Sequence, residues 1–326
     1  MRIGSLVALT LSIVCLAQAV LSQPLPAADS SHAYHWRKND SSTALLRGTK
    51  TVWQFNYEST RNTPCFHPVS TVTGQPLTWE RPPDHAWHHG VWFGWTYING
   101  VNYWEHVAGT DKPAGRTEWA DVLMETADDG SARIRLALSY RPAGANKHVL
   151  SEERSIDVSP PQGDGTYWLD WTSLFTAGDE RVTLDRLVPR EQGAGGYAGL
   201  SVRFAKEFVD RQATNIEGPA GFGPGDRHRG RSQAMDYSGL IDGQPAGLAI
   251  LDHPDNPPHP APWYAIRGRV IGYLNAALLA EAPLVLEPGQ ALSLRYRVSV
   301  HPGRWDAARL RAAVARYHHA SEHESD

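Results

Sequence analysis

The feature that most constrains this chain is a period of two. Trp53, Phe55 and Tyr57 alternate with Gln54 and Asn56; Ile134, Leu136, Leu138 and Tyr140 alternate with Arg135, Ala137 and Ser139. Leu292, Leu294, Tyr296, Val298 and Val300 alternate with Ser293, Arg295, Arg297 and Ser299. Successive side chains of a strand face opposite ways, so the pattern predicts strands with one buried face. Tyr167 to Phe175 and Ala246 to Asp252 read as further strands. Leu284-Val285-Leu286 followed by Glu287-Pro288-Gly289-Gln290 reads as a hairpin, and Asn99-Gly100 as a tight turn. Twenty-nine glycines and 23 prolines punctuate these runs, the texture of a fold with many short connections. Helical spacing occurs only near the end, where Leu310, Val314 and Tyr317 share a face that Arg309, Arg311 and Arg316 avoid. The predicted fold is all-β: a large antiparallel β-sandwich with a C-terminal helix over 305–319. No repeat or linker divides residues 46–320, which read as one domain. Residues 23–45, rich in Pro, Ser, Ala and Asp, read as a flexible tail.

Residues 1–22 read as a secretory signal. Arg2 supplies the positive start, Ile3 to Val20 is free of charge, and Ala17-Gln18-Ala19 or Val20-Leu21-Ser22 offers a cleavage site. The expected mature protein begins between residues 20 and 28 and is exported, periplasmic or secreted. An uncleaved anchor is the alternative, because the apolar run is borderline for spanning a bilayer. No later segment is long and apolar enough to span one. Cleavage removes Cys15 and leaves Cys65, so no internal disulfide is expected. Cys65 reads as a small buried hydrophobe rather than a nucleophile. A formal net charge of -4 lacks the basic footprint of a nucleic-acid binder. There is no P-loop, Rossmann fingerprint or Gly-x-Ser-x-Gly elbow.

Chemistry concentrates in two clusters. The first is Asp84-His85-Ala86-Trp87-His88-His89-Gly90-Val91-Trp92, after Pro82-Pro83. Histidines shuttle protons or ligate metals near neutral pH, and tryptophans make flat walls with a polar edge. The second is Asp252-His253-Pro254-Asp255-Asn256-Pro257-Pro258-His259, running on to Trp263-Tyr264, a stretch stiffened by proline. Smaller groups are Phe66-His67-Pro68, Trp104-Glu105-His106, Gly199 to Arg203 and Met235-Asp236-Tyr237. The glycine-rich, charged stretch 218–233 reads as a surface loop or as a rim over a site. On a strand His88 and His89 would face opposite sides, so at most one joins His85. That spacing supports a polar site better than a metal centre. No metal ligands are assigned, and the cofactor is left open.

We expect both clusters to meet in one concave pocket. Its candidate catalytic residues are Asp84, His85, His88, Glu105, Asp252 and His253. His88 or His85 would serve as base or ligand, with Glu105 or Asp84 as carboxylate partner. Candidate substrate contacts are His67, Trp92, Arg203, Asp236, Asn256 and Trp263, with Arg203 anchoring an anion or hydroxyl. The twelve tryptophans suit stacking on a sugar, and the expected partner is a small-molecule sugar or glycan.

The motifs Phe66-His67-Pro68-Val69, Pro83-Asp84-His85 with His88-His89-Gly90, Gly199-Leu200-Ser201 with Arg203, Asp236-Tyr237-Ser238-Gly239, and Asp252-His253-Pro254 with Pro262-Trp263-Tyr264 resemble the PmoA family, labelled methane oxygenase. The resemblance covers roughly residues 50 to 302. It departs at Ala86-Trp87, where more polar residues are usual, and at His89-Gly90, where an Arg often intervenes. It implies an exported protein with the galactose-mutarotase-like supersandwich fold, whose sites use His, Arg and carboxylates on a concave sheet. By that analogy the chain is carbohydrate-active: a hydrolase, lyase or epimerase. The alternatives are a metal-dependent oxygenase, as the label has it, and a non-catalytic carbohydrate-binding protein.

Overall fold

Two large antiparallel sheets face each other across one core in the computed structural model, which describes residue 1 and residues 34–189 and 194–323. The nine-stranded sheet runs, edge to edge, β1 (Tyr34–Asn39), β2 (Ser42–Arg47), β3 (Lys50–Asn56), β4 (Cys65–Val69), β5 (Val91–Gly94), β13 (Gly199–Phe204), β19 (Gly272–Ala276), β18 (Pro262–Arg267) and β15 (Arg227–Arg231). The eight-stranded sheet runs β14 (Val209–Asn215), β16 (Ala234–Ile241), β17 (Gln244–Asp252), β21 (Ala291–Pro302), β11 (Tyr167–Ala177), β10 (Leu150–Val158), β9 (Ala132–Pro142) and β8 (Gly115–Thr126). A small sheet of β20 (Leu284–Leu286), β12 (Val182–Asp185), β6 (Tyr97–Ile98) and β7 (Val101–Asn102) closes one side.

The alternation seen in the sequence is the core. Ile134, Leu136, Leu138 and Tyr140 of β9 are buried, as are Leu292, Leu294, Tyr296, Val298 and Val300 of β21. Phe204 stacks on Tyr237 across the gap with ring centroids 4.2 Å apart. The Tyr167 hydroxyl donates to the Ser70 carbonyl at 2.8 Å, tying one sheet to the other. The helix α1 (Ala307–His323) packs Leu310, Val314 and Tyr317 on Ala234, Ala249 and Leu251, on the outer face of the eight-stranded sheet. Asp306 caps it, its carboxylate accepting the Arg309 amide at 2.8 Å. No helix of the described residues is long and apolar enough to cross a membrane.

Three expectations need correction. The tail assigned to 23–45 overlaps β1 and β2, where Trp36 donates to the Ala127 carbonyl at 2.9 Å. β1 is an edge strand with mostly exposed side chains, and β2 is buried on both faces and so shows no alternation, which hid both from the sequence. Leu284–Gln290 is not a hairpin, because β20 pairs with β12 and β21 pairs with β11 and β17. The stretch 218–233 is not all loop, since Arg227–Arg231 forms the edge strand β15. The expected signal segment lies outside the described residues apart from Met1. Asn99 and Gly100 do form the tight turn between β6 and β7, both at positive φ.

Candidate functional site

Inter-strand register builds the site on the outer face of the nine-stranded sheet. Cys65 lies beside Trp92, Trp92 beside Ser201, Ser201 beside Asn275, Asn275 beside Tyr264 and Tyr264 beside Arg229. The row next to it is Arg203, Tyr273, Ile266 and Arg227. Residues two apart on a strand share a face. Both rows therefore point away from the main core, where Leu200, Val202 and Phe204 are buried. Cys65, Trp92, Trp104, Tyr264, Tyr273 and Ala277 form a separate aromatic cluster there.

The loop carrying the first histidine cluster lies over this face. A bridge between Glu80 and His89 closes its neck, and the Arg81 amide donates to the His88 carbonyl at 2.8 Å. Gly90, at φ 80°, lets the chain turn back into β5; a Cβ there would sit 2.4 Å from the Phe66 carbonyl oxygen. One Arg203 nitrogen, Nη2, donates to both Asp84 oxygens at 2.8 and 2.7 Å. His85 Nδ1 lies 2.8 Å from Asp84 Oδ2. Burial pushes the Asp84 carboxyl up, but His85 and Arg203 outweigh it and hold the group below the usual carboxylate range. The His88 ring lies 4.7 Å from His85 and stacks on Tyr273 at 5.2 Å. Burial, with the neighbouring positive groups, drives His88 well below its ordinary pKa, so it is a neutral imidazole.

Several buried polar atoms here have no partner among the described residues: His88 Nδ1, Arg203 Nε and Nη1, and Asn275 Oδ1. Such groups are rare in native proteins and each calls for an explanation. Around them stand Trp92, Trp104 and Tyr197; Trp92 and Trp104 are 5.5 Å apart, as are Trp104 and Tyr197. The Tyr197 hydroxyl donates to Glu105 Oε1 at 2.7 Å. Arg227 Nε donates to the Tyr264 hydroxyl at 3.0 Å, and the Arg229 guanidinium lies 4.2 Å over the Tyr264 ring. The aromatic wall thus has a basic rim.

The structure brings together Asp84, His85, His88, Trp92 and Arg203, with Glu105 at the wall. His67 lies on the same side of β4 as Cys65, with Nδ1 3.1 Å from the Thr78 hydroxyl. His88 and His89 do diverge, His88 toward Tyr273 and His89 toward Glu80. Tyr197, Tyr273 and Asn275 were missed. Tyr273-Leu274-Asn275 carries a faint alternation, but the strand is too short to announce itself.

The expected shared pocket is not formed. Arg203 Nη2 also reaches the Val270 carbonyl at 3.3 Å, in the turn after β18. Asp252 instead accepts the Ala261 amide at 2.9 Å, just before β18. The two clusters therefore address opposite ends of a six-residue strand, roughly 17–20 Å apart at the usual rise. Asp252 is fully buried and also accepts Asn256 Nδ2 at 2.8 Å and His259 Nδ1 at 2.7 Å. Asn256 in turn bonds both backbone groups of Arg295. Trp263 is a core residue, donating to the Ser232 carbonyl at 2.8 Å. Asp236 is buried against His301 at 2.8 Å and bonded by Ser238, on the helix side of the other sheet. His253 lines a groove of about 630 Å³ with Arg297 and Tyr317, beside the helix. Asp252, Asn256, Trp263 and Asp236 are occupied in joining strands and helix, which is why polar residues cluster there in the sequence; His253 keeps a buried Nε2 without a partner among the described residues.

The chain is similar in path to several solved structures. One is the Slr1438 protein from Synechocystis sp. PCC 6803, at 13% identity and a TM-score of 0.40, covering 84% of this chain and 96% of that one. A galactose mutarotase related enzyme from Lactobacillus acidophilus matches at 10% identity and 0.36, covering 84% and 99%. A GH36 alpha-galactosidase from Geobacillus stearothermophilus matches at 8% and 0.41, covering 84% of this chain and 41% of that one. No protein of curated function matches the sequence. Residues 42–315 match the model of a family of unknown function, DUF6807, and with a match over most of its length the chain belongs to that family.

Proposed function

We propose that the protein is a carbohydrate-active enzyme that moves protons on a sugar bound to the outer face of the nine-stranded sheet. The observation that carries this reading is the set of buried polar atoms without partners, His88 Nδ1 with Arg203 Nε and Nη1, beside an aromatic wall. A sugar supplies what they lack: hydroxyls that both donate and accept, on a ring whose apolar face stacks on Trp or Tyr. The residues of the PmoA-like motifs that line this face, Asp84, His85, His88 and Arg203, belong to the same reading.

Arg203 fixes Asp84, and Asp84 orients His85 through Nδ1, leaving His85 Nε2 for the ligand. His88 stands beside it, buried and uncharged, and can take a proton only as negative charge developing on the ligand offsets its burial. A two-carboxylate hydrolase needs one carboxylic acid that stays protonated near neutral pH. Asp84, held low by Arg203 and His85, does not meet that need. Epimerase or lyase chemistry at a sugar carbon therefore fits better than hydrolysis. The test is turnover and solvent-deuterium incorporation on a panel of sugars and glycans. His88→Ala is expected to lower turnover about 10²–10⁴-fold with an unchanged circular dichroism spectrum. Full activity in that variant, or no binding to any sugar by the wild type, would overturn the reading.

Export belongs to the same proposal, supported by the charge-free run after Arg2. N-terminal sequencing of the native protein is expected to find a start between residues 20 and 28. A native protein that retains Met1 refutes it.

A further inference from the structure

Behind Trp92, at the neck of the histidine loop, three side chains from separate stretches converge: Cys65 of β4, Glu80 before the loop and His89 after it. One ligand atom from each lies within 4.8 Å of the others. Cys65 and His89 are buried, and the Glu80 side chain is 14% exposed. His89 Nδ1 faces Glu80 Oε1 at 3.8 Å, too far for a hydrogen bond, and has no other partner among the described residues. Cys65 Sγ lies 3.7 Å from the same oxygen. A core that merely needed filling would put apolar groups here, since a buried imidazole nitrogen without a partner is costly.

We propose that Cys65, Glu80 and His89 bind a divalent zinc-type cation that clamps the base of the loop. Thiolate, imidazole and carboxylate together are a zinc donor set, and three protein ligands leave a fourth position for water. Zinc bond lengths place such donors roughly 3.3–3.7 Å apart, so side-chain rotation of about an ångström closes the set. A cavity of about 20 Å³ lined by His89, Trp87 and Trp92 offers room for one water. Arg61 is ion-paired with Glu80. Arg61 also acts on Cys65 and His89, so it would swing aside as the cation enters and keep one Glu80 oxygen as an outer partner, while the other oxygen turns to the metal. Binding releases the Cys65 thiol proton to solvent, and nothing is oxidised or reduced. Because Glu80 and His89 bridge at the loop's neck, the cation would fix the segment that carries Asp84, His85 and His88. The inference stands on this geometry and does not depend on the ligand being a sugar.

The experiment loads the purified full chain with cobalt(II) alone and reads absorbance. Zinc content after loading and dialysis is measured alongside. One equivalent of either metal and a thiolate-to-cobalt charge-transfer band in the near ultraviolet are expected, unchanged in Cys15→Ser. Cys65→Ser should abolish the band, and His89→Gln should weaken cobalt binding at least tenfold, about 1.4 kcal/mol. If Cys65→Ser does not fold, the band in Cys15→Ser still decides, because Cys65 is then the only thiol in the chain. Absence of the band in wild type overturns the proposal. So does a band that survives in folded Cys65→Ser.

Discussion

Arg203 is placed badly for stability and well for the proposed function. Its side chain is fully buried, yet Nη2 holds all its side-chain hydrogen bonds, to Asp84 and the Val270 carbonyl, while Nε and Nη1 have none. The guanidinium also lies 5.5 Å over the Trp79 ring, a contact an apolar side chain would share. Removing one partner of a buried ion pair costs stability chiefly where the other charge is left buried. Asp84, a quarter exposed, can turn to water when its partner leaves. Arg203→Met is therefore expected to keep or raise the unfolding temperature while weakening binding of the proposed sugar ligand at least tenfold, about 1.4 kcal/mol. Thermal melts and calorimetric titration measure both. A large drop in melting temperature with binding intact would make Arg203 a structural residue and remove it from the site.

At the scale of elements, the connection from β17 to β18 carries the chain from one sheet to the other, and Asp252 holds it. Facing its carboxylate are Asn256, His259 and the Ala261 amide; Tyr296 is its cross-strand neighbour and His318 reaches its backbone carbonyl at 3.0 Å. Burial raises the Asp252 pKa to about 6, against the bonds from Asn256 and His259, which lower it. A folded-state pKa above the unfolded one means that the folded protein binds the extra proton. The resulting stability is fully present below about pH 3.9 and is lost as pH rises through about 6. Asp252→Asn, which cannot ionise, is expected to remove this part of the pH dependence. It should leave the outer-face site able to bind its ligand. Urea midpoints between about pH 4 and 7 test it; an unchanged slope in the variant would show that Asp252 does not titrate there. In sequence, Asp252 looks catalytic because an acid among prolines and histidines is unusual. Only the register of β18 reveals that it is anchoring a crossover.

For the whole molecule, the sandwich was legible and the site only half so. Alternation in β3, β9, β11, β17 and β21 is a local property of the chain, so it survives in the sequence. The outer-face rows run through β4, β5, β13, β19, β18 and β15, an order no local pattern encodes. That is why the Asp84–His88 loop was visible as a dense motif while Tyr273, Asn275 and the arginines of β15 were not assigned. The same architecture leaves two outer faces to be managed. One carries the aromatic and polar site; part of the other is covered by α1, through Leu310, Val314 and Tyr317. If this division of labour holds, damage to the helix face should cost stability without touching chemistry. Leu310 is fully buried against that face. Leu310→Ala removes its packing and leaves a cavity, worth roughly 2–5 kcal/mol. Near room temperature, where the variant remains folded, affinity for the proposed sugar ligand should equal that of the wild type, while the urea midpoint falls. An affinity that falls in step with stability would show the helix and the outer-face site to be coupled across the sandwich.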